Sequence, residues 1–282
     1  METINLAGLV SIKSLYILKK IVSFVDLVKK MNIIKYNKKF QKKFGININN
    51  YKVKSGKCIE INKNGFGKEY DIESNKLIYE GNFKNNKWNG YGKEYNKKSK
   101  VIFRGEYLNG ERNGKGKEYN YSGDLIFEGE YLNGERNGKG TEYYKSVIKF
   151  VGEYLNGIRN GKGKEYDDKG KLQFIGEYKD GLRNGEGKEY HNNGKLKFKG
   201  GYLDGEKHGK AKEYHNNGKL QFSGEYISGS KNGDAKEYYD NGDLQFEGSY
   251  FWGKRCGKGK EYYYENGKLK RRNWRYIAYG RC

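Results

Sequence analysis

Several residue patterns in this chain could do chemistry. Gly-x-Gly recurs throughout, as in Gly138-Lys139-Gly140, and such runs cradle phosphate when they join a strand to a helix. Here the glycines fall inside alternating, strand-like runs and no G-x-x-x-x-G-K-[ST] exists, so they read as structural. His191, His208 and His215 are metal-ligand types. His191 and His215 hold equivalent positions in neighbouring repeats, roughly 10 Å apart across two strands, which is too far to share an ion. They read as exposed turn residues. Acidic pairs such as Glu128 and Glu130 recur in step with the repeat, whereas a catalytic site breaks one. No Ser-His-Asp set, thiol–His pair or kinase motif is present, so the chain reads as a non-enzyme with no catalytic residue, metal or cofactor. Aromatics interleaved with Lys and Arg occur in single-strand nucleic-acid binders. Here Phe and Tyr repeat with the backbone, as packing residues do, and nucleic acid is not the expected partner.

One stretch positions all of these groups. In FEGEYLNGERNGKGTEY, from Phe127 to Tyr143, an aromatic, a Gly and a Tyr alternate; a polar stretch with Asn133-Gly134 follows, then Gly138, Gly140 and Tyr143. Alternation predicts a strand and the Asn/Gly break a hairpin. Copies of it fill most of the chain. Their leading aromatics, beginning at Tyr79 and Phe103, recur every 24 residues, with one step of 23. That spacing gives eight full units after a half-unit at Gly65–Tyr70 and is the signature of a repeat architecture. Asn193-Gly194, Asn217-Gly218, Asn241-Gly242 and Asn266-Gly267 join the units and suit two-residue hairpin turns. The expected fold is mainly β: an elongated, single-layer antiparallel β-meander of tandem hairpins, preceded by a short α-helical segment.

Within a hairpin, the alternation pairs Phe127 with Glu142, Gly129 with Gly140 and Tyr131 with Gly138. The glycines then leave room for the rings, giving an aromatic ladder on one face that reads as an exposed interaction surface. Its members are Phe103, Tyr107, Phe127, Tyr131, Phe150 and Tyr154, continuing through Phe174, Tyr178, Phe198, Tyr202, Phe222 and Tyr226. The opposite face carries Glu–Lys pairs, Glu130 with Lys139 and its equivalents. Positions where a unit departs from the pattern, such as Gly201, Ala235 and Cys256, are the expected places for specific function.

Composition agrees with a thin repetitive structure. The 282 residues include 42 Gly, 28 Tyr and no Pro, with 34% hydrophobic and 16% aromatic residues. So few apolar residues cannot build a thick core, yet the aromatic share exceeds that of a disordered chain. The net charge of +22 would attract an anionic phospholipid surface or another polyanion. It also matches the Lys-, Asn-, Ile- and Tyr-rich bias of an AT-rich coding sequence. Three widely spaced cysteines, Cys58, Cys256 and Cys282, suggest neither a disulfide framework nor a zinc site. A reducing, intracellular setting is expected, cytoplasmic or peripheral to a membrane. No membrane span or signal peptide is apparent.

Four regions follow: 1–45, a helical segment; 46–62, a junction rich in turn formers; 63–270, the repeat array; and 271–282, a degenerate cap bearing Arg271, Arg272 and Arg275. In the first, Leu18, Ile21, Phe24, Val28, Met31 and Ile34 fall at helical spacing and form a candidate partner-binding helix face.

The repeats resemble MORN repeats. The aromatic-x-Gly-x-aromatic run, Asn-Gly loop and Asn-Gly-x-Gly stand as FRGEYLNGERNGKG (103–116), FEGEYLNGERNGKG (127–140), FVGEYLNGIRNGKG (150–163) and FIGEYKDGLRNGEG (174–187). The resemblance implies an elongated sheet used as a scaffold or protein–protein interaction module with protein partners. ILKKIVSFVDLVKKMNIIKYNKKFQ, Ile17 to Gln41, resembles the helix pair of an F-box without its Leu-Pro start. That likeness implies a ubiquitin-ligase substrate adaptor that docks the ligase through residues 1–45. The structural alternative is a helical cap closing the repeat array.

Overall fold

The computed structural model describes residues 51–54 and 57–276, with side chains from 57 to 273. The helical and F-box-like expectations for residues 1–45 lie outside the described residues. The described chain contains no helix and is built from strands.

The chain divides into two compact units. The first takes residues up to Ile126 together with Tyr131–Gly134, and the second takes Phe127–Glu130 and everything from Glu135. In the first, β1 (Tyr51–Lys54), β2 (Lys57–Ile61), β3 (Phe66–Asp71), β4 (Leu77–Lys84), β5 (Lys87–Tyr95), β6 (Val101–Leu108) and β7 (Glu111–Tyr119) pair antiparallel in chain order. β1 and β2 thus lie in the stretch read as a junction. Strand β8 (Leu125–Leu132) divides its residues between the units. The second unit continues with β9 (Glu135–Tyr144), β10 (Val147–Leu155), β11 (Ile158–Tyr166), β12 (Leu172–Lys179), β13 (Leu182–Tyr190) and β14 (Leu196–Leu203). It ends with β15 (Glu206–Tyr214), β16 (Leu220–Ile227), β17 (Ser230–Tyr238), β18 (Leu244–Phe251), β19 (Lys254–Glu265) and β20 (Lys268–Tyr276). These too pair antiparallel with their chain neighbours.

Two kinds of turn alternate, and they correct the expected placement. The tight two-residue turn sits within a repeat. Asn133 and Gly134 both have positive φ (51° and 87°), as do Asn156 and Gly157 (49° and 81°). This is the type I′ geometry that matches strand twist, and Asn followed by Gly tolerates it best. Between repeats the loop is wider. At Asn193-Gly194 only Gly194 has positive φ; its N–H donates to His191 O, and the His191 N–H donates to Lys195 O. Gly218 and Gly242 repeat that pattern. Of the four expected tight connections, Asn266-Gly267 alone takes it, with φ of 48° and 72°.

The hairpin register holds in part. Phe150 faces Glu165 and Gly152 faces Gly163, as the pattern predicts for Phe127 and Gly129 in their hairpin. Tyr154, however, faces Arg159 and not Gly161, because the register shifts between Gly152 and Tyr154. Gly161 (φ 101°) and its equivalent Gly138 (φ 88°) are the residues of a β-bulge. The shift turns Arg159 onto the aromatic face and removes the expected in-hairpin Glu–Lys pairing. Glu153 instead faces Lys139 of the preceding strand, and Lys162 faces Glu177 of the following one.

Candidate interaction site

The aromatic ladder is the interior of the sheet. Phe103, Phe127, Phe150, Phe174, Phe198 and Phe222 are fully buried, and Tyr107, Tyr131, Tyr154, Tyr178, Tyr202 and Tyr226 are buried to within a few per cent. The expectation of an exposed aromatic surface is therefore corrected. A single-layer sheet can bury rings because other side chains on the same face cover them. The Arg159 guanidinium lies 4.0 Å over the Phe150 ring, Arg136 4.0 Å over Phe127 and Arg112 4.2 Å over Phe103. Lys207 and Lys231 take the same place 4.1 Å over Phe198 and Phe222. Trp88 does so by stacking on Tyr79, 4.4 Å between centroids and 4° between planes.

Below this lid the rings meet edge to face. Phe150 lies 5.7 Å from Tyr154 and 5.2 Å from Tyr178. The glycines make that possible: a Cβ on Gly163 would stand 2.5 Å from Phe150 Cζ and 2.9 Å from Tyr178 Cε2. Where the sequence has Ala in that row, at Ala211 and Ala235, the spacing opens. Phe198–Tyr226 and Phe222–Tyr250 lie 6.0 and 6.1 Å apart, against 5.0 to 5.4 Å in the four Gly repeats before them.

Glutamates tie one repeat to the next. The Tyr154 hydroxyl donates to Glu142 Oε1 at 2.8 Å, and Arg159 also pairs with Glu142. In the first unit, Arg112 reaches Glu94 with two nitrogens, Nε at 2.8 Å and Nη2 at 3.0 Å, while the Tyr107 hydroxyl donates to Glu94 at 2.9 Å. Burial raises the pKa of the Glu142 carboxyl, but hydrogen bonds from Arg159 and Tyr154 and the charges of Arg159 and Arg136 outweigh it and hold it below the usual carboxylate range. Burial, with Glu142 nearby, pushes the Tyr154 hydroxyl well above its usual value. Alternation places Glu142 opposite the Phe ring but does not place the Arg over it. Its signal was the spacing of Gly138 and Gly140 with an Arg two residues before the first.

The remaining candidates are structural. His191 and His215 are half-buried, not exposed; their Nε2 atoms donate to Tyr214 O and Tyr238 O of the next repeat, each at 2.8 Å. No cluster of His, Cys, Asp or Glu among the described residues could hold a metal ion. Cys58 and Cys256 are buried thiols; burial and the Glu60 charge push Cys58 up to about 11. Leu18, Ile21, Phe24, Val28, Met31 and Ile34 lie outside the described residues.

Two surfaces are open in the second unit. Leu155, Ile158, Leu182, Leu203, Ile227 and Phe251 flank the tight turns and are each more than 40% exposed, a stripe of apolar side chains recurring along one edge. On the face opposite the aromatics, a groove of about 1180 Å³ crosses β13 to β20 over the bare backbone of Gly200, Gly224 and Gly248, with Lys199, Lys212 and Lys236 among its lining.

The repeat geometry has a counterpart among known families. The family model described as MORN repeat matches residues 79–98, 103–125, 127–146 and 174–195, and that described as MORN repeat variant matches 159–180, 207–228, 231–251 and 259–273. Together they cover more than half of the chain. It belongs to the MORN-repeat family. The variant matches include both repeats with Ala in the glycine row and Lys over the ring, while three of the four MORN matches cover the units of residues 79–146. No curated protein matches the chain. Among the described residues no helix is long and apolar enough to cross a membrane.

Proposed function

We propose that this MORN-repeat chain is a non-enzymatic scaffold that binds protein partners through the surfaces its sheet leaves open. One observation carries the reading. The second unit buries its ring ladder, Phe150 to Tyr250, yet keeps a periodic row of exposed apolar side chains at its turns, Leu155 to Phe251. A row of exposed apolar side chains repeated along one edge suits a contact site. The residues that line the interior stabilise the scaffold; the edge and the opposite face meet the partner. Affinity purification of the full chain with chemical cross-linking tests this. Partners should cross-link near the turns and be lost from a Leu182→Glu/Leu203→Glu variant that still melts normally. Recovery of the same partners by that variant would overturn the assignment of the edge.

A second reading, binding to an anionic phospholipid surface or other polyanion, is supported by the +22 charge. Flotation with anionic liposomes at rising salt tests it. Binding that persists at physiological ionic strength supports it, and binding lost below that strength marks simple charge attraction. The adaptor reading rests on residues 1–45. Co-purification of a cullin-ligase adaptor subunit with the full chain, lost on Leu18→Asp/Ile21→Asp, would support it; no co-purification would remove it.

A further inference from the structure

The repeats carry a carboxylate in a fixed place on the face opposite the aromatics. Glu130 Oε2 accepts from the Lys139 backbone N–H at 3.0 Å, and Glu153 Oε2 from the Lys162 N–H at 3.0 Å. Each sits over its bulge glycine: an added Cβ on Gly114, Gly138, Gly161 or Gly185 would meet that carboxylate at 2.1 to 2.3 Å. Three repeats lack it, and Asn82 and Ser249 stand in its place in two of them. In the third the residue is Gly201, which has no side chain to fill the place, and an added Cβ on the matching bulge residue, Gly209, would meet nothing within 4 Å.

Beside this gap, lysines face one another across the strands. Lys188 faces Lys199, and Lys199 faces Lys212, so three ammonium side chains stand in one row across β13, β14 and β15. Like charges placed directly opposite destabilise a sheet. Lys210 lies beside them, two residues before Lys212. All four are exposed, and none makes an ion pair within the described residues. Farther along the groove the lysines are satisfied, Lys236 at 3.0 Å and Lys260 at 3.8 Å from Glu247. Two carboxylates face the patch from neighbouring strands, Glu186 opposite Gly201 and Glu225 opposite Lys210.

We propose that this end of the groove binds an acidic segment of a partner polypeptide, one side-chain carboxylate of which sits over Gly209 where Glu130 and Glu153 sit in their own repeats. The row of Lys188, Lys199 and Lys212 holds the segment's further carboxylates. The groove's own acids decide the occupant class. A dense polyanion laid along it would run against Glu186, Glu225, Asp234 and Glu247, whereas spaced carboxylates on an extended chain can stand between them. The inference rests on the protein-binding reading above and names a partner chemistry for it.

The test uses the full chain and a labelled 12-residue peptide of alternating Glu and Ser, followed by fluorescence anisotropy. Lys199→Glu/Lys212→Glu should weaken binding at least tenfold without lowering the melting temperature. Lys179→Glu/Lys254→Glu makes the same change in net charge at the turns and should alter binding less than twofold. Equal losses in the two variants would reduce the effect to net charge and overturn the proposal. So would displacement of the peptide by tripolyphosphate, or by phosphatidylserine vesicles, at equal charge concentration, since the groove would then be a phosphate or membrane site. If the peptide fails to bind while the intact chain still cross-links partners at its turns, the groove assignment alone falls. If neither occurs, the protein-binding reading falls with it.

Discussion

Arg159 does two jobs, and their sum can be predicted. It covers the Phe150 ring and reaches Glu142 and, at 3.9 Å, Glu165. Arg159→Ala strips the lid and leaves a half-buried carboxylate short of a donor, so it should destabilise the chain by about 2 kcal/mol in denaturant unfolding. Arg159→Lys should cost under about 1 kcal/mol, because Lys207 and Lys231 already fill that place, reaching Glu213 at 2.8 Å and Glu237 at 3.0 Å. A second residue-scale expectation concerns the glycine row. Gly163→Ala should cost about 1–2 kcal/mol, as overpacked cores do, and should widen the Phe150–Tyr178 spacing of 5.2 Å toward the 6.0 Å seen beside Ala211. A crystal structure and a melting curve of that variant check both.

At the scale of the strand pair, the alternation of Phe150, Gly152 and Tyr154 made the strands legible, and the 24-residue period made the meander legible. The bulge was not. Gly161 and Gly163 look alike in the sequence, yet one takes positive φ and the other clears space for a ring. Backbone handedness decides between them, and alternation carries no trace of it. That one residue moved Arg159 across the sheet, so the candidate site was read with the right rings and without their lid. The Glu carboxylates already on that face, paired across from the Phe rings, set the acid response. Glu142, Glu165, Glu213 and Glu237 lie below the usual range: burial raises each, but hydrogen bonds from Arg or Lys and from Tyr outweigh it. Their folded-state values are below the unfolded value of about 4.3. The stability they supply is therefore present above that pH and is lost as pH falls through the folded values. Thermal midpoints should be level from pH 7 to about 5 and should drop below about 4. A midpoint unchanged down to pH 2.5 would remove the glutamates from the account of stability.

At the scale of the molecule, each strand packs on its neighbours in sequence, as the pairing within either unit shows. Among the described residues of either unit the strands pair in chain order, so stability is close to a sum of repeat and neighbour contributions. The consequence can be tested by deleting one ring. Phe222 is fully buried between Tyr226 and Tyr250, 5.6 and 6.1 Å away, with Lys231 above it. Phe222→Ala should remove about 3–5 kcal/mol locally. In a single cooperative domain that loss would lower protection everywhere. Here amide hydrogen exchange should accelerate in β14 to β18, which pair around the deleted ring, and remain unchanged in β3 to β6 of the other unit. Uniform acceleration across both units would mean that they unfold together, and the nearest-neighbour account of this sheet would then be wrong.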